Sequence, residues 1–203
     1  MSRELQRLLR RVRSADLRSV LQEAVAYGRK IHDSDLEKWA RLELHGYDES
    51  NPAMTDTDEV PAYRTVPGQW RDAAGRVFLV RDSELEFVNR VRIRPGVSQL
   101  GELAEARGLV LLDASGEAQV IRDHLKVQID YFSFTPLAVR SVLFAIRTQL
   151  EDRLSAFEPQ PAPPPANTLS NPGDIFVLKP SVWGMGIDLR ALWRRFRARS
   201  RQW

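Results

Sequence analysis

Glu43 and Arg64 are the residues whose types and placement first suggest chemistry in this chain. Glu43 follows Leu36 by seven residues and Trp39 by four, so in a helix it lies on the apolar face. A carboxylate on such a face must find a partner or lose its charge, because burying it alone is very costly. The planar guanidinium of Arg64 suits a carboxylate partner.

This pair admits two interpretations. As a catalytic pair, Glu43 would be a buried acid with a perturbed pKa, and Arg64 would stabilise charge. As a structural pair, the two would lock a helix to the segment that contains Arg64. The structural interpretation is favoured, because nothing nearby in the sequence supplies a nucleophile or a metal ligand. The predicted, structural motif core comprises Trp39, Glu43, Tyr47, Tyr63 and Arg64, with the tyrosine hydroxyls hydrogen-bonded at its rim.

Other familiar catalytic patterns are missing from the sequence. His32, His45 and His124 stand in no HExxH-like frame, and His45 is expected to end a helix rather than bind a metal. The chain has no G-x-S-x-G elbow, P-loop or dinucleotide fingerprint, and zero cysteines exclude a thiol nucleophile. Residues 123–126 (DHLK) could be read as a metal nuclease, but a surface segment is favoured. The sequence therefore predicts no metal and no cofactor, assigns no catalytic residue, and favours a protein that is not an enzyme.

The residues around Glu43 carry a resemblance to a known family. The motif W-x-x-x-E-L-x-G-Y at 39–47 is followed, after an acidic loop, by P-x-Y-R at 61–64. Together these motifs resemble the signature of the AbiTii family of bacterial abortive-infection proteins. A later stretch with Ile146-Arg147, Leu150 and Glu151 also resembles the helix that closes the family's shared region, so the resemblance covers roughly residues 5–158. It implies a role in defence against bacteriophage and supplies no known active site.

Three helices are predicted to position the first half of this motif. Leu5, Leu8, Leu9 and Val12 form one helical stripe, and a second stripe runs from Leu17 to Ile31. For the third helix, Ser34 and Glu37 form a capping box that places its start near Asp35, and Gly46 is expected to end it. The tight turns between them predict an antiparallel amino-terminal bundle. Residues 51–59 are polar and acidic, which is typical of a mobile loop.

After Pro61 the pattern becomes that of short strands. Pro61–Arg64 is expected to be extended, and the expected strands are 62–66, 75–80, 90–94 and 126–132, with 109–112 as strand or helix end. Short helices are expected near 82–89 and 98–106. A long helix should begin at Thr135-Pro136 and bury Val139, Val142, Leu143, Ile146, Leu150, Leu154 and Phe157. The predicted fold class is α+β: an amino-terminal helical bundle, a small strand-containing middle and a long packed helix.

The chain is expected to divide into three parts: an AbiTii-like domain at 1–158, a proline-rich linker at 159–170 and a basic amphipathic element at 171–203. The last part is predicted to be a tethered strand and helix. Its arginines 190, 194, 197 and 201 fall at spacings of four, three and four, which predicts one basic stripe. Anionic partners fit such a stripe, namely an acidic surface of a protein partner or a second copy, then nucleic acid, then a membrane surface.

Charge is strongly segregated along the chain. Residues 1–18 carry a net charge of +4, residues 33–59 carry −7, and residues 184–203 carry +5. The basic ends are expected either to bind polyanions or to fold onto the acidic middle. No run is apolar over the ~20 residues that span a bilayer, no secretory signal opens the chain, and the lack of cysteine fits a reducing compartment, so a cytoplasmic protein is predicted.

Three functional hypotheses follow from these observations. The first is an abortive-infection protein that senses or binds its target, or acts as an effector, through contacts with protein or nucleic acid. The second is a nucleic-acid-directed toxin, an enzyme of the nuclease class with a site that the sequence does not reveal. The third is an adaptor that works only by oligomerising.

Overall fold

A computed structural model describes residues 2–78, 86–113, 118–119, 121–123 and 126–157. All of them lie within the predicted domain at 1–158. The predicted linker, the carboxy-terminal element and its four arginines lie outside the described residues. The predicted α+β fold class is confirmed, because helices precede and follow a small strand-rich middle.

The amino-terminal bundle comprises α1 (Arg3–Ser14), α2 (Leu17–Lys30) and α3 (Ser34–His45). Each helix begins at a residue whose side chain accepts a backbone hydrogen bond, and Gly46 ends α3 at a φ of 98°. The helix α3 begins within one residue of its predicted start near Asp35, but its predicted N-cap is wrong. Asp33, not Ser34, is the N-cap, because its Oδ1 accepts from the Leu36 backbone N–H at 2.7 Å.

The predicted extended segment at Pro61–Arg64 is also wrong. Ala62–Arg64 is a 3₁₀ turn, and the strand β1 begins only at Thr65 (Thr65–Pro67). Neighbouring side chains of an extended strand point to opposite faces, so Tyr63 and Arg64 could not both reach α3 from one. The tight turn directs both toward Glu43, as the distances below show.

The strands form two small antiparallel sheets. The first pairs β1 with β4 (Arg90–Arg92), with Val66 opposite Val91. The second has the order β3-β2-β6-β5, where these strands are Val77–Phe78, Gln69–Arg71, Tyr131–Phe134 and Val110–Leu112. Gly68 joins β1 to β2 where a Cβ would lie 2.4 Å from the Ser133 carbonyl oxygen, so a larger residue has no space there.

Two of the remaining described helices pack against each other. The helix α4 (Val97–Ala104) packs against the long α5 (Pro136–Ser155), which also contacts α1, α3, β1 and the 3₁₀ turn. On α5, Val139, Val142, Ile146, Leu150 and Leu154 are buried, and Leu143 and Phe157 pack against the same core. The predicted apolar stripe is thereby confirmed. Arg147 of α5 donates hydrogen bonds to the carbonyls of Val12 and Ala15, which join the last helix to the end of the first.

The acidic segment at 51–59 is anchored on both sides. Asn51 is buried, and its Nδ2 donates to the Gly46 carbonyl at 2.6 Å. Asp58 accepts from the Lys38 ammonium at 2.8 Å. The polar composition predicts mobility, whereas these contacts restrain the loop against α3. Arg11 and Arg13 of α1 pair with Glu23 and Glu151, and among the described residues no ion pair joins α1 to this segment.

Candidate functional site

The five motif residues meet where α3, the 3₁₀ turn and the segment after β4 come together. Glu43 lies on the inner face of α3, and its side chain has no solvent exposure. Tyr47 follows Gly46, where the chain leaves the helix and its backbone N–H donates to the Arg94 carbonyl at 2.9 Å. Tyr63 and Arg64 arrive from the 3₁₀ turn. Two parts of the chain, the residue after Gly46 and the 3₁₀ turn, therefore supply the donors to one carboxylate of α3.

Both oxygens of Glu43 are fully engaged. Oε1 accepts from the hydroxyls of Tyr47 and Tyr63, each at 2.6 Å. Oε2 accepts from Nη2 of Arg64 at 2.7 Å and from its Nε at 3.1 Å. A carboxylate has about four lone-pair sites, and each of these has a donor. The charge of Glu43 is thus neutralised and its hydrogen-bonding capacity is used entirely inside the protein.

Arg64 is equally enclosed. Its Nη1 donates to the carbonyls of Pro95 at 2.8 Å and Ile93 at 3.2 Å, and its guanidinium lies 4.7 Å from the centre of the Tyr47 ring. Four of its five N–H donors therefore have partners, and its side chain has no solvent exposure. The predicted pairing of Glu43 with Arg64 is present, and it fastens α3 to the end of β4 as well as to the 3₁₀ turn.

Trp39 extends the cluster toward α5. Its Nε1 donates to the Tyr63 hydroxyl at 2.9 Å, so that hydroxyl accepts one hydrogen bond while it donates another to Glu43. The guanidinium of Arg153 lies 4.8 Å from the centre of the Trp39 ring, a cation–π distance. The sequence motif contains no sign of Arg153, because this contact depends on how α5 crosses α3.

The surroundings of the two tyrosines change their acidity. Burial raises the pKa of the Tyr47 and Tyr63 hydroxyls above its ordinary value, and the negative charge of Glu43 raises it further. Both hydroxyls therefore remain protonated donors at neutral pH. A general base or a nucleophilic phenolate needs the opposite shift, so the cluster is better suited to holding its own geometry than to proton transfer.

Other residues singled out in the sequence lie away from this cluster. His45 is the last residue of α3, as predicted, and is exposed. Of the segment 123–126, His124 and Leu125 lie outside the described residues. Within the described ranges, no group of three or more His, Asp and Glu side chains is arranged to hold a metal ion. Also within those ranges, no helix is both long enough and apolar enough to cross a membrane.

A cleft that the sequence does not reveal lies on another face of α3. It has a volume of about 360 Å³ and is lined by Gln22, Val25, Arg41, Leu44, His45, Asn51, Pro52 and Ala53. None of the motif residues contributes to this lining. The helical spacing of Arg41 and His45 is the only sequence signal for it, and that spacing is ordinary for an exposed helix face.

The fold and the cluster together define an α+β domain whose amino-terminal helices are fastened to its middle by a buried carboxylate–guanidinium pair. Residues 2–174 match the AbiTii family, and this is most of the chain, so the protein belongs to that family. Membership implies a role in abortive-infection defence against bacteriophage. No curated protein and no solved structure matches the chain.

Proposed function

We propose that this protein serves phage defence as a non-enzymatic binding module, in which the Glu43–Arg64 cluster fixes the shape of the domain and the surface makes the functional contacts. The observation that supports this proposal is the saturation of Glu43. Four donors occupy its two oxygens, and neither Glu43 nor Arg64 reaches solvent. A substrate would have to break this network before it met either charge.

The proposal is tested by measuring phage protection with a variant in which apolar residues replace the buried pair. Replacing a buried ion pair with apolar residues of similar size is often neutral for stability, whereas removing one partner is not. The variant Glu43→Leu, Arg64→Met, Tyr47→Phe and Tyr63→Phe removes the pair together with the hydroxyls that donate to it. It is therefore expected to fold and to protect a bacterial host from a phage panel as the wild type does. A variant that melts like the wild type but gives no protection would overturn the proposal.

A biochemical measurement separates this proposal from the toxin hypothesis without relying on that variant. Purified full-length protein is incubated with labelled RNA and DNA, with and without Mg²⁺ or Mn²⁺. The expected result is intact nucleic acid in every reaction. Metal-dependent cleavage that disappears in Glu43→Gln but persists in Arg13→Gln, the exposed control, would make the cluster an active site.

The proposed contacts are with a protein partner or a second copy, and the basic stripe at Arg190, Arg194, Arg197 and Arg201 is their proposed carrier. The support is sequence chemistry, since six arginines against one acid within 184–203 suit an anionic surface. Removing 184–203 should lower the mass in solution or abolish retention of a partner. The proposal fails if solution mass, RNA and DNA retention, and liposome co-sedimentation all stay unchanged at low and moderate salt.

A second candidate is contact with nucleic acid through α1. Arg3, Arg7 and Arg10 recur at spacings of four and three, and all three are exposed, the Arg7 side chain by 64%. Such a row can neutralise several phosphates, and the resulting affinity falls steeply with salt. Replacing all three with Gln should reduce RNA or DNA retention and flatten its salt dependence. Retention that is unchanged would leave α1 as an ordinary solvated face.

A further inference from the structure

We propose that the cleft between α2, α3 and the loop after α3 binds a small organic carboxylate that carries an apolar group. The inference does not depend on the proposed function, because the cleft and the Glu43 cluster lie on different faces of α3. Its polar lining is Gln22, Arg41, His45 and Asn51, and its apolar lining is Val25, Leu44, Pro52 and Ala53. This mixture of an apolar wall with a few polar groups is typical of ligand sites.

The walls of the cleft are held in place from behind. The Glu43 cluster fixes α3, which carries Arg41, Leu44 and His45 on its outer side. On the loop side, Asn51 donates to the Gly46 carbonyl at 2.6 Å and accepts from the Ala53 backbone N–H at 3.0 Å. Asn51 is itself only 4% exposed. The site is therefore formed before any ligand arrives, which lowers the entropic cost of binding.

The charges around the cleft favour a single negative charge. Glu37 Oε1 accepts from Arg41 at 2.8 Å and from Arg29 at 3.1 Å, so two guanidinium groups share one carboxylate. Arg41 is the one arginine among the described residues that line the cleft, and none of these residues carries a carboxylate. In addition, the Nε of Arg41 is buried and has no hydrogen-bond partner among the described residues. That atom is shielded from the cleft, so a ligand carboxylate would meet the accessible part of the Arg41 side chain, 39% of which is exposed.

Two further features select the class of anion. The carboxyl end of α3 borders the cleft, and a helix carboxyl end disfavours strongly negative ligands such as a phosphate dianion. The cleft volume of about 360 Å³ corresponds to roughly a dozen water-sized groups at ~30 Å³ each. A monocarboxylate with a short aliphatic or aromatic body fits both the charge and the space. The carboxylate could belong to a free acid or to the end of a peptide.

Titrations of the full-length protein, followed by amide NMR shifts at constant ionic strength, test this site. The probes are hexanoate for a free acid, N-acetyl-leucine for a peptide end, hexanamide as the uncharged match and inorganic phosphate. At least one carboxylate should bind saturably at millimolar concentration and shift amides near Arg41 and Ala53. Hexanamide and phosphate should bind at least tenfold more weakly. The tighter of the two carboxylates identifies the source.

Three variants complete the design. Arg41→Gln should weaken carboxylate binding at least tenfold, and Ala53→Leu should do the same by filling the cleft without changing charge. Arg13→Gln, an exposed arginine of α1, should leave binding unchanged. The proposal is overturned if no carboxylate saturates, if hexanamide binds as tightly, or if Arg41→Gln binds like the wild type. Should Arg41→Gln not fold, Ala53→Leu and the ranking of probes decide the question.

Discussion

Burying Glu43 with Arg64 removes two charges from water, and only a complete set of partners makes this tolerable. Glu43 has four donors and Arg64 has two carbonyl acceptors besides the carboxylate. The stability of the cluster is therefore a property of the set, and the loss of one member leaves the others buried without partners.

Single and double variants of the pair measure this dependence. Glu43→Ala is expected to lower the free energy of unfolding by ~3–5 kcal/mol, because it leaves a buried guanidinium uncompensated. Arg64→Ala should cost a similar amount, and the double variant should cost less than the sum of the two. Arg13→Ala removes an exposed pair with Glu151 and serves as the control, with a loss below ~1 kcal/mol. Small, additive losses in urea denaturation would show that the two residues do not interact.

The tyrosine hydroxyls predict a specific response to alkaline pH. In the unfolded chain tyrosine deprotonates near pH 10, whereas in the folded cluster its pKa is raised. Above pH 10 the unfolded state therefore binds fewer protons than the native state, so stability falls as pH rises. The expected slope is about 1.4 kcal/mol per pH unit for each tyrosine. Melts between pH 8 and 11 of Tyr47→Phe with Tyr63→Phe should show a flatter decline, and Tyr131→Phe should follow the wild type.

At the residue scale the sequence revealed the pair but not its surroundings. Glu43 and Arg64 could be predicted as partners because charge on an apolar helix face demands compensation. The carbonyls of Ile93 and Pro95, and the ring contact of Arg153 with Trp39, could not. Backbone acceptors leave no trace in residue type, and a cation–π contact across two helices depends on how those helices cross.

At the scale of elements, the start of α3 shows how two good caps compete. Ser34 and Glu37 fit a capping box, but Glu37 pairs with Arg29 and Arg41 instead of turning back to the helix start. Asp33 therefore provides the cap. Asp33→Ala should destabilise the protein by ~1 kcal/mol, within the usual range for a lost N-cap. Ser34→Ala is the matched control and should have little effect in thermal melts. A larger loss of stability in Ser34→Ala than in Asp33→Ala would show that Ser34 caps the helix, as the capping box predicts.

The glycines at the end of α3 and before α4 allow their backbones to approach closely. A Cβ on Gly46 would lie 2.8 Å from the Arg94 carbonyl oxygen, and the φ of 98° already disfavours a side chain. A Cβ on Gly96 would lie 2.4 Å from the Leu44 carbonyl oxygen. Alanine at either position should cost at least ~1–3 kcal/mol in unfolding free energy.

The control for this prediction is Gly101 in α4, where nothing lies within 4 Å of an added Cβ. Gly101→Ala should stabilise the protein by ~0.5–1 kcal/mol, because alanine has the higher helix propensity. Equal effects at Gly46 and Gly101 would mean that the close approach of α3 to the segment after β4 does not constrain residue 46.

Helices were more readable from the sequence than strands for a physical reason. The stripe on α5 repeats over twenty residues, whereas β2 has three residues and shows no period. Moreover, β2 is defined by pairing with Tyr131–Phe134, about sixty positions later, and local sequence carries no record of that partner. The same limit explains the error at Ala62–Arg64, where the need to bring two side chains to Glu43 determined the backbone.

At the scale of the whole molecule, the buried stripe of α5 ends before the proline-rich segment begins. Leu154 is the last fully buried residue of α5, and the Phe157 ring packs edge-on against Tyr27 at 6.2 Å. A chain that ends at Gln160 should therefore fold cooperatively, with a melting temperature close to that of the full chain. A chain that ends at Thr148 lacks Leu150 and Leu154 and should not fold. If the truncated chain 1–160 is insoluble or unfolds without cooperativity, later residues complete the core. That result would be compatible with the family match, which extends to residue 174.

The hydrogen bonds from Arg147 to the end of α1 have a consequence for synthesis on the ribosome. Arg147, the hydrogen-bond partner of the Ala15 carbonyl, is synthesised 132 residues later, which takes about 7–26 s at 5–20 residues per second. During that time the apolar side of α1, with Leu5, Leu8 and Val12, lacks the helix that covers it in the finished domain. A nascent chain of this protein therefore lacks the α5 contacts of α1 until nearly the whole domain has been translated. An interruption of translation before Pro136 releases a product in which that side of α1 is not covered by α5.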